Sequence, residues 1–246
     1  MRRYAASLTL ALAFLAPLGA EGCRKAAKPP STQPSETRAV AESTQPPIEQ
    51  APIEIRLPTP MFKGTPKPVS EPNIEKPSGK LRPPFLAPEG VTNLAAGKPV
   101  TSSDPEPIIG ELSMVTDGEK DGQDGYFVEL GFGTQWVQID LEQPATIYAI
   151  VIWHYHAQAR AYRDVIVQVS DDPEFASSVT TVFNSDHDNS SNLGAGTDMG
   201  YVETFEGKLI DCRGAEGRYV RLYSRGNTSN DENHYIEVEV YGKPNP

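Results

Sequence analysis

The side chains with the clearest potential for ligand chemistry are four histidines, His154, His156, His187 and His234. A neutral imidazole donates one hydrogen bond, accepts another and can ligate a metal ion. His154 and His156 have the i, i+2 spacing that places two side chains on one face of a strand. Together with His187 or His234 they could hold a transition metal. The alternative is that the histidines present hydrogen-bonding groups to a polar ligand.

Other side chains with planar hydrogen-bonding groups accompany the histidines, namely Arg160, Arg163, Asp188, Asn189 and Asn230. Such groups suit a hydroxyl-rich ligand, because each can pair with more than one hydroxyl. The carboxylates of Asp186 and Asp188 could in principle serve a glycosidase. They lie in a segment that is predicted to be a flexible loop, whereas catalytic carboxylates need a rigid position. We therefore expect a binding protein and not an enzyme.

Strands must position these residues. From Val91 onward, short runs of valine, isoleucine, tyrosine and threonine alternate with turn residues. Residues 136–141 and 236–240 alternate apolar and polar side chains, which indicates strands with one buried face. The pattern predicts an all-β domain, an antiparallel β-sandwich. Its strands are expected at residues 98–102, 135–141, 146–154, 164–170, 179–183, 201–204, 208–212, 218–224 and 234–241.

The order of these strands predicts where the polar loops lie. The strand at 146–154 runs toward one end of the sandwich, the strand at 164–170 runs back, and the strand at 179–183 returns. The loops over residues 154–163, 184–200 and 225–233 should therefore meet at the same end. All four histidines would then gather around one rim.

Composition divides the chain into two parts. Fifteen of the 23 prolines fall within residues 24–88, which also lack a periodic apolar pattern, so a disordered linker is expected over 23–88. The domain is expected over residues 89–243. Residues 89–246 carry a net charge of −16, compared with −11 for the whole chain. Because like charges repel, this acidic domain argues against nucleic acid or an anionic membrane surface as a direct partner.

The N-terminus has the form of an export signal. Met1-Arg2-Arg3 is basic, and residues 4–18 are apolar but too short to span a bilayer, so residues 1–22 are predicted to be a signal peptide. Gly22-Cys23 resembles the end of a bacterial lipoprotein signal, in which the cysteine is lipidated and anchors the protein in the envelope or at the cell surface. The alternative is a secreted protein in which Cys23 is incidental. The second cysteine, Cys212, is expected to be buried and unpaired.

Several motifs together resemble those of discoidin domains, also called coagulation-factor type C domains. In family order they are Asn93-Leu94-Ala95-Ala96-Gly97-Lys98-Pro99-Val100-Thr101, Thr116-Asp117-Gly118, Trp136-Val137-Gln138-Ile139-Asp140-Leu141, Gly217-Arg218-Tyr219-Val220-Arg221-Leu222 and Ile236-Glu237-Val238-Glu239-Val240-Tyr241-Gly242. The resemblance implies a galactose-binding-like jelly-roll sandwich. It also implies a binding module for sugars, proteins or lipid head groups. Because relatives bind sugars at one loop end, it favours a carbohydrate ligand at the predicted rim.

The resemblance further implies a calcium ion, which in relatives pins the loop after the Asp-Gly turn against the last strand. The implied ligands are the side chains of Asp117 and Glu237, with main-chain carbonyls near Met114 and Ile236. Glu119 occupies a position where relatives often have asparagine or aspartate. Hard oxygen ligands of this kind are what calcium requires. The alternative is a solvated acidic turn in which Lys120 takes the place of a cation.

From sequence we thus expect a non-catalytic module, tethered to a cell surface or envelope, that binds carbohydrate through loops at one end. The expected partner is a glycan or another cell-surface ligand, and a membrane is contacted only through the lipid anchor. The alternative is a protein-adhesion or envelope-assembly module that uses the same loops.

Overall fold

The computed structural model describes residues 49–63 and 68–246. The predicted signal peptide and Cys23 lie outside these ranges, as does the first part of the predicted linker. These described residues form one structural unit. In the described ranges, no helix has both the length and the apolar character needed to cross a membrane.

The described residues form ten strands and one short 3-10 helix, Leu112–Thr116. All pairings between the strands are antiparallel, which confirms the predicted all-β sandwich. The strands are β1 (Gln50–Pro52), β2 (Leu86–Pro88), β3 (Thr92–Asn93), β4 (Val100–Ser102), β5 (Val128–Leu130), β6 (Gln135–His154), β7 (Ile166–Ser170), β8 (Thr180–Asn184), β9 (Lys208–Ser224) and β10 (Asn233–Pro244).

The long strands β6 and β9 take part in both layers of the sandwich. The first half of β6 pairs with β4 and with the second half of β9, whereas its second half pairs with β10 and with the first half of β9. Both strands turn a corner between their halves, where Glu142 and Arg213 adopt left-handed backbone angles, with φ of 68° and 54°. Asp140 and Asp211 each accept the backbone N–H two residues later, which stabilises these turns. Four of the predicted strands are therefore halves of β6 and β9.

The main core lies between the layers and contains Ile150 and Ile152 of β6 and Val238 and Val240 of β10. Cys212 of β9 lies in the same core and is unpaired, as predicted. Burial raises the pKa of its thiol to about 12.

The segment before the sandwich is part of the fold, which corrects the predicted linker for residues 49–63 and 68–88. We name these residues the strap. Its two ends pair with each other as β1 and β2, and its apolar side chains Ile53, Ile55 and Phe85 pack against the outer face of β6 around Val151 and Trp153. Covering this apolar face removes it from water, which offsets the cost of ordering the segment.

The strap runs along the outer face toward the end of the sandwich where β6 ends, and then returns. On the outward leg, the backbone N–H of Lys63 donates to Ala157 O at 2.6 Å. On the return leg, the guanidinium of Arg82 donates to Gly207 O at 2.8 Å. The strap is thus held by polar contacts on both legs as well as by apolar packing.

The predicted strand at residues 201–204 is wrong. This segment is irregular, although Tyr201 and Glu203 are buried and Val202 and Thr204 are more exposed. That alternation of burial imitates a strand. The backbone N–H of Glu203 donates instead to Arg160 O in the neighbouring loop, at 2.8 Å.

Candidate functional site

Polar loops meet at the end of the sandwich where β6 ends and β7 begins. The backbone N–H of Arg163 donates to Gly226 O at 3.0 Å, and that of Ser185 donates to Val165 O at 2.9 Å. These bonds join the loop before β7 to the loops that follow β8 and β9. We call this region the loop end.

His154 lies inside the protein at the loop end, with none of its surface exposed. Its Nδ1 is 2.7 Å from Glu203 Oε1, and its ring stacks on Tyr162 with centroids 4.3 Å apart. The carboxylate of Glu203 is also fully buried. His154 therefore belongs to an interior hydrogen-bonded network and does not reach a ligand in solvent.

His234 belongs to the same network. Its Nδ1 is 2.9 Å from the hydroxyl of Tyr162, and its Nε2 is 3.1 Å from Glu129 Oε2. Burial lowers the pKa of His234 to about 3, and the nearby charge of Arg160 acts in the same direction. A neutral ring that donates from Nε2 to Glu129 and accepts the Tyr162 hydroxyl at Nδ1 satisfies both contacts.

His156 and Arg160 are buried as well. His156 Nε2 is 2.9 Å from Lys120 O. The guanidinium of Arg160 lies over the ring of Tyr155 at 4.6 Å from its centroid and donates to Gln158 Oε1. Both side chains therefore have protein partners at the loop end.

The structure thus corrects the predicted rim of histidines, because His154, His156, Arg160 and His234 are interior residues. Aromatic rings pack against His154, His234 and Arg160, and a polar residue type does not reveal such an enclosure in the sequence. His154 and His156 also face different partners, so they do not form the predicted transition-metal pair. Among the described residues, the group whose ligand atoms converge within 4.8 Å is Asp164, Asp186 and Asp188.

A cavity of about 250 Å³ opens at the loop end. Three of its lining residues, Arg163, His187 and Asp188, are among the predicted binding residues. The sequence-based prediction did not include the other lining residues. They are Glu71, Pro72, Asn73, Ile74, Ala161, Tyr162, Asp164, Ser185, Gly200 and Thr228.

Arg163 is the cation of the cavity wall, and two contacts fix its guanidinium. Nη1 donates to Asn227 O at 2.7 Å, and Nη2 donates to Glu71 Oε1 of the strap at 3.0 Å. The side chain remains 41% exposed, so it is accessible from the cavity as well as held in place.

The carboxyl groups of Asp164 and Asp188 also line the cavity, and that of Asp186 lies close to them. Asp164 accepts a hydrogen bond from Ser190 Oγ at 2.6 Å, and burial together with the charges of Asp186 and Asp188 raises its pKa. Asp186 is fully buried and accepts the backbone N–H groups of Ser190 and Ser191. This side of the cavity therefore accepts hydrogen bonds and disfavours anions.

The remaining predicted residues lie on the exposed loops. His187 is exposed, and its Nε2 is 3.0 Å from Asp198 O. Asn189 accepts the Gly194 N–H, and Asn230 bonds to Asn227. Neither asparagine lines the cavity, so their side chains shape turns there.

The strap closes one side of the cavity. Ile74 and Gly200 form a parallel bridge, in which Gly200 N donates to Asn73 O and Glu75 N donates to Gly200 O, both at 2.8 Å. Lys208 pairs with Glu75 at 2.9 Å just beyond the bridge. These contacts hold residues 71–75 against the loop end.

The residues implied for calcium include one group that fits a cation. Glu237 is fully buried, its Oε2 accepts the Gly118 N–H at 3.1 Å, and its Oε1 has no hydrogen-bond partner in the described residues. Burial raises the pKa of this carboxyl to about 9, and the neighbouring Glu239 and Asp117 add to the shift. A buried carboxylate oxygen without a partner, beside an exposed aspartate, is a donor set that calcium would satisfy.

The other implied calcium residues are engaged locally. Glu119 Oε1 accepts the N–H groups of Lys120 and Asp121, at 3.0 Å each. Asp117 Oδ1 accepts the Glu119 N–H. Met114 lies in the 3-10 helix, and Ile236 is buried in the outer apolar cluster.

Lys120 makes a separate buried ion pair, because its Nζ lies 2.6 Å from Glu239 Oε1. Its ammonium group also lies over the Trp153 ring, at 4.9 Å from the centroid. This cation therefore neutralises Glu239, and Glu237 keeps its unpartnered oxygen.

Comparison with known proteins agrees with the fold. Residues 114–222 match the family model F5/F8 type C, described as a NedA-like, galactose-binding domain. A search of curated proteins gave no match.

Similar solved structures include the chitosan-binding module 1 of a Paenibacillus sp. IK-5 chitosanase/glucanase, at 23% identity and a TM-score of 0.42, covering 61% of this chain and 98% of that one. A Streptococcus pneumoniae fucose-binding module has 18% identity and a TM-score of 0.43, covering 61% and 97%. The CBM32 domain of AlyQ has 20% identity and a TM-score of 0.39, covering 58% and 92%. The family match over residues 114–222 confirms the resemblance of this part of the chain to coagulation-factor type C domains, and the antiparallel sandwich agrees with the fold that the resemblance implied.

Proposed function

We propose that this protein is a non-catalytic carbohydrate-binding module and that the loop-end cavity is its ligand site. The observation that carries the proposal is the cavity itself, which combines a fixed guanidinium with hydrogen-bond acceptors and an apolar floor. The description of the matching family model as a galactose-binding domain supports the same class of ligand.

The chemistry of the wall suits a sugar. Arg163 offers N–H donors, Asp164 and Asp188 offer acceptors for hydroxyl groups, and Pro72 and Ile74 offer apolar surface for the C–H face of a ring. Binding sites for small molecules typically combine an apolar lining with a few placed polar groups. A cavity of about 250 Å³ is of the size of a single sugar unit, so we propose one sugar residue as the bound element.

The proposal is tested with a glycan array probed with the full chain, followed by titration of the strongest hit. Weak, saturable binding that is insensitive to salt is expected for a neutral sugar, because no net charge is neutralised. Absence of binding to every glycan, together with capture of a protein partner through the same loops, would instead support the adhesion alternative.

We also propose that the protein is exported and tethered through a lipid on Cys23. The basic start, the short apolar run and Gly22-Cys23 support this localisation. Replacing Cys23 with serine should move the protein from the membrane fraction to the soluble fraction. Unchanged membrane association of that variant would contradict the lipid tether.

A structural calcium ion held by Asp117 and Glu237 is the third part of the proposal. The buried, unpartnered Oε1 of Glu237 supports it. Calcium would be the positively charged partner that this carboxylate lacks, and it would join the loop at Asp117 to strand β10. Main-chain oxygens near Met114 and Ile236 are proposed to complete the ligand set.

A further inference from the structure

The strap supplies one wall of the cavity, and this wall comes from a segment far from the loops in sequence. Glu71, Asn73 and Ile74 line the cavity together with Arg163, which follows them by about ninety residues. Two backbone hydrogen bonds to Gly200 hold this part of the strap in place. Without these residues, the cavity would be open to solvent on this side.

Glu71 also determines the charge that a ligand meets. Its carboxylate accepts from Arg163 Nη2 at 3.0 Å, so the single guanidinium of the cavity wall is already paired with an anion. The wall also contains the carboxyl groups of Asp164 and Asp188. Arg225 approaches Asp164 only to 3.9 Å. A ligand carboxylate would therefore meet a cavity with more negative than positive charge.

We propose that the strap is part of the ligand site and that Glu71 determines its specificity, by neutralising Arg163 so that uncharged sugars are selected over uronic acids. This inference rests on the proposed carbohydrate function. With Glu71 present, Arg163 directs its remaining N–H groups to sugar hydroxyls. Without Glu71, the guanidinium is free to pair with a sugar carboxylate in the bidentate geometry that arginine favours.

The first experiment measures binding of matched neutral and acidic sugars to the full chain. The pairs are the methyl glycosides of galactose and galacturonate, glucose and glucuronate, and mannose and mannuronate, which differ only at one carbon. The native protein should prefer the neutral member. Glu71→Gln should reduce that preference roughly fivefold, the size of one partly exposed ion pair.

Glu174→Gln is the matched control, because it removes the same charge from an exposed glutamate in the turn after β7, at the other end of the strand. It should leave the preference unchanged. A preference that is equal in Glu71→Gln, Glu174→Gln and the native protein would overturn the role of Glu71.

The second experiment follows backbone amide signals of the full chain by NMR during titration with the preferred sugar. Shifts are expected at Glu71, Asn73 and Ile74 as well as in residues 161–164 and 185–188. Shifts confined to the two loops would overturn the role of the strap and leave the proposed carbohydrate site intact. Binding with no shift in either loop would reject the cavity as the sugar site, and the inference would fail with it.

Discussion

The ring of His154 lies against the ring of Tyr162, with an interplanar angle of 21°. Tyr162 also pairs through its hydroxyl with His234 Nδ1, and it lines the cavity. One tyrosine therefore connects two buried histidines to the cavity. The two histidines hold Tyr162 in position at the cavity and do not line the cavity themselves.

The buried state of His234 predicts that the domain loses stability in acid. In the unfolded chain His234 protonates near its ordinary pKa of 6.5, whereas burial lowers the folded value to about 3. The unfolded state therefore binds more protons between these values, and the free energy of unfolding falls as the pH decreases from 6.5 toward 3. Urea unfolding at a series of pH values measures this slope, and His234→Asn should make it shallower.

His187→Asn is the control for that slope, because His187 is exposed and its replacement removes no buried base. The slope of this variant should match that of the native protein. An equal slope in all three proteins would show that His234 does not contribute.

Replacing Arg163 with alanine should weaken sugar binding. The variant loses the donors that face the cavity, at a cost of about 1–3 kcal/mol for an unmet hydrogen bond to a charged group. Calorimetric titration measures the loss, and circular dichroism checks that the fold is intact. Asp171→Ala should bind normally, because Asp171 follows the far end of β7. Unchanged affinity of Arg163→Ala would contradict the assigned site.

The calcium proposal predicts a chelator effect on thermal stability. A cation that binds only the folded state at one hundred times its Kd stabilises it by about 2.7 kcal/mol. For a domain of this size, chelation should then lower the Tm by roughly 5–10 °C. Differential scanning calorimetry with and without chelator measures this shift.

Glu237→Gln keeps the shape of the side chain and removes the carboxylate that would bind calcium, so it should fold and lose the response to calcium. Glu119→Gln should keep the response, because Glu119 caps its own turn. A native protein with the same Tm in both conditions would contradict the site.

Gly207→Ala should destabilise the fold strongly. Gly207 has φ of 65°, and an added Cβ would lie 2.7 Å from Trp153 Cε2 and 2.8 Å from Ile152 O. Left-handed strain together with overpacking predicts a loss of about 2–4 kcal/mol in the free energy of unfolding. Gly97 has the same φ with open space around its Cβ position, so Gly97→Ala isolates the strain and should cost about 1–2 kcal/mol. Equal losses in the two variants would show that Trp153 moves away from the added Cβ without a cost in stability.

Much of the sandwich is predictable because its strands carry a local signal. The alternation at residues 136–141 and 236–240 reflects burial of one strand face, and the structure places these residues in β6 and β10. The same reasoning failed for residues 201–204, where alternate burial arises without a hydrogen-bonded partner strand.

The strap was not predictable by composition because prolines interrupt its apolar residues. Ile53, Ile55 and Phe85 are buried through contacts with the outer face of β6, which is distant in sequence, so the local sequence does not reveal their burial. The candidate site was predictable to the extent that strand order brings the loops together. Whether a histidine there is exposed or enclosed depends on neighbours such as Tyr162 and Glu203, and strand order does not specify them.

The pairing of β1 with β2 lies at the end of the sandwich opposite the cavity. Glu49 and Glu89 are hydrogen-bonded beside this pair, and Asn245 bonds to Pro144 at the nearby corner of β6. Both ends of the described sandwich unit therefore lie at its base, and the second half of β6, about 30 Å long, separates them from the cavity. If the domain is attached to a surface through this base, its cavity lies at the end farthest from the attachment point, where a ligand in solution can reach it.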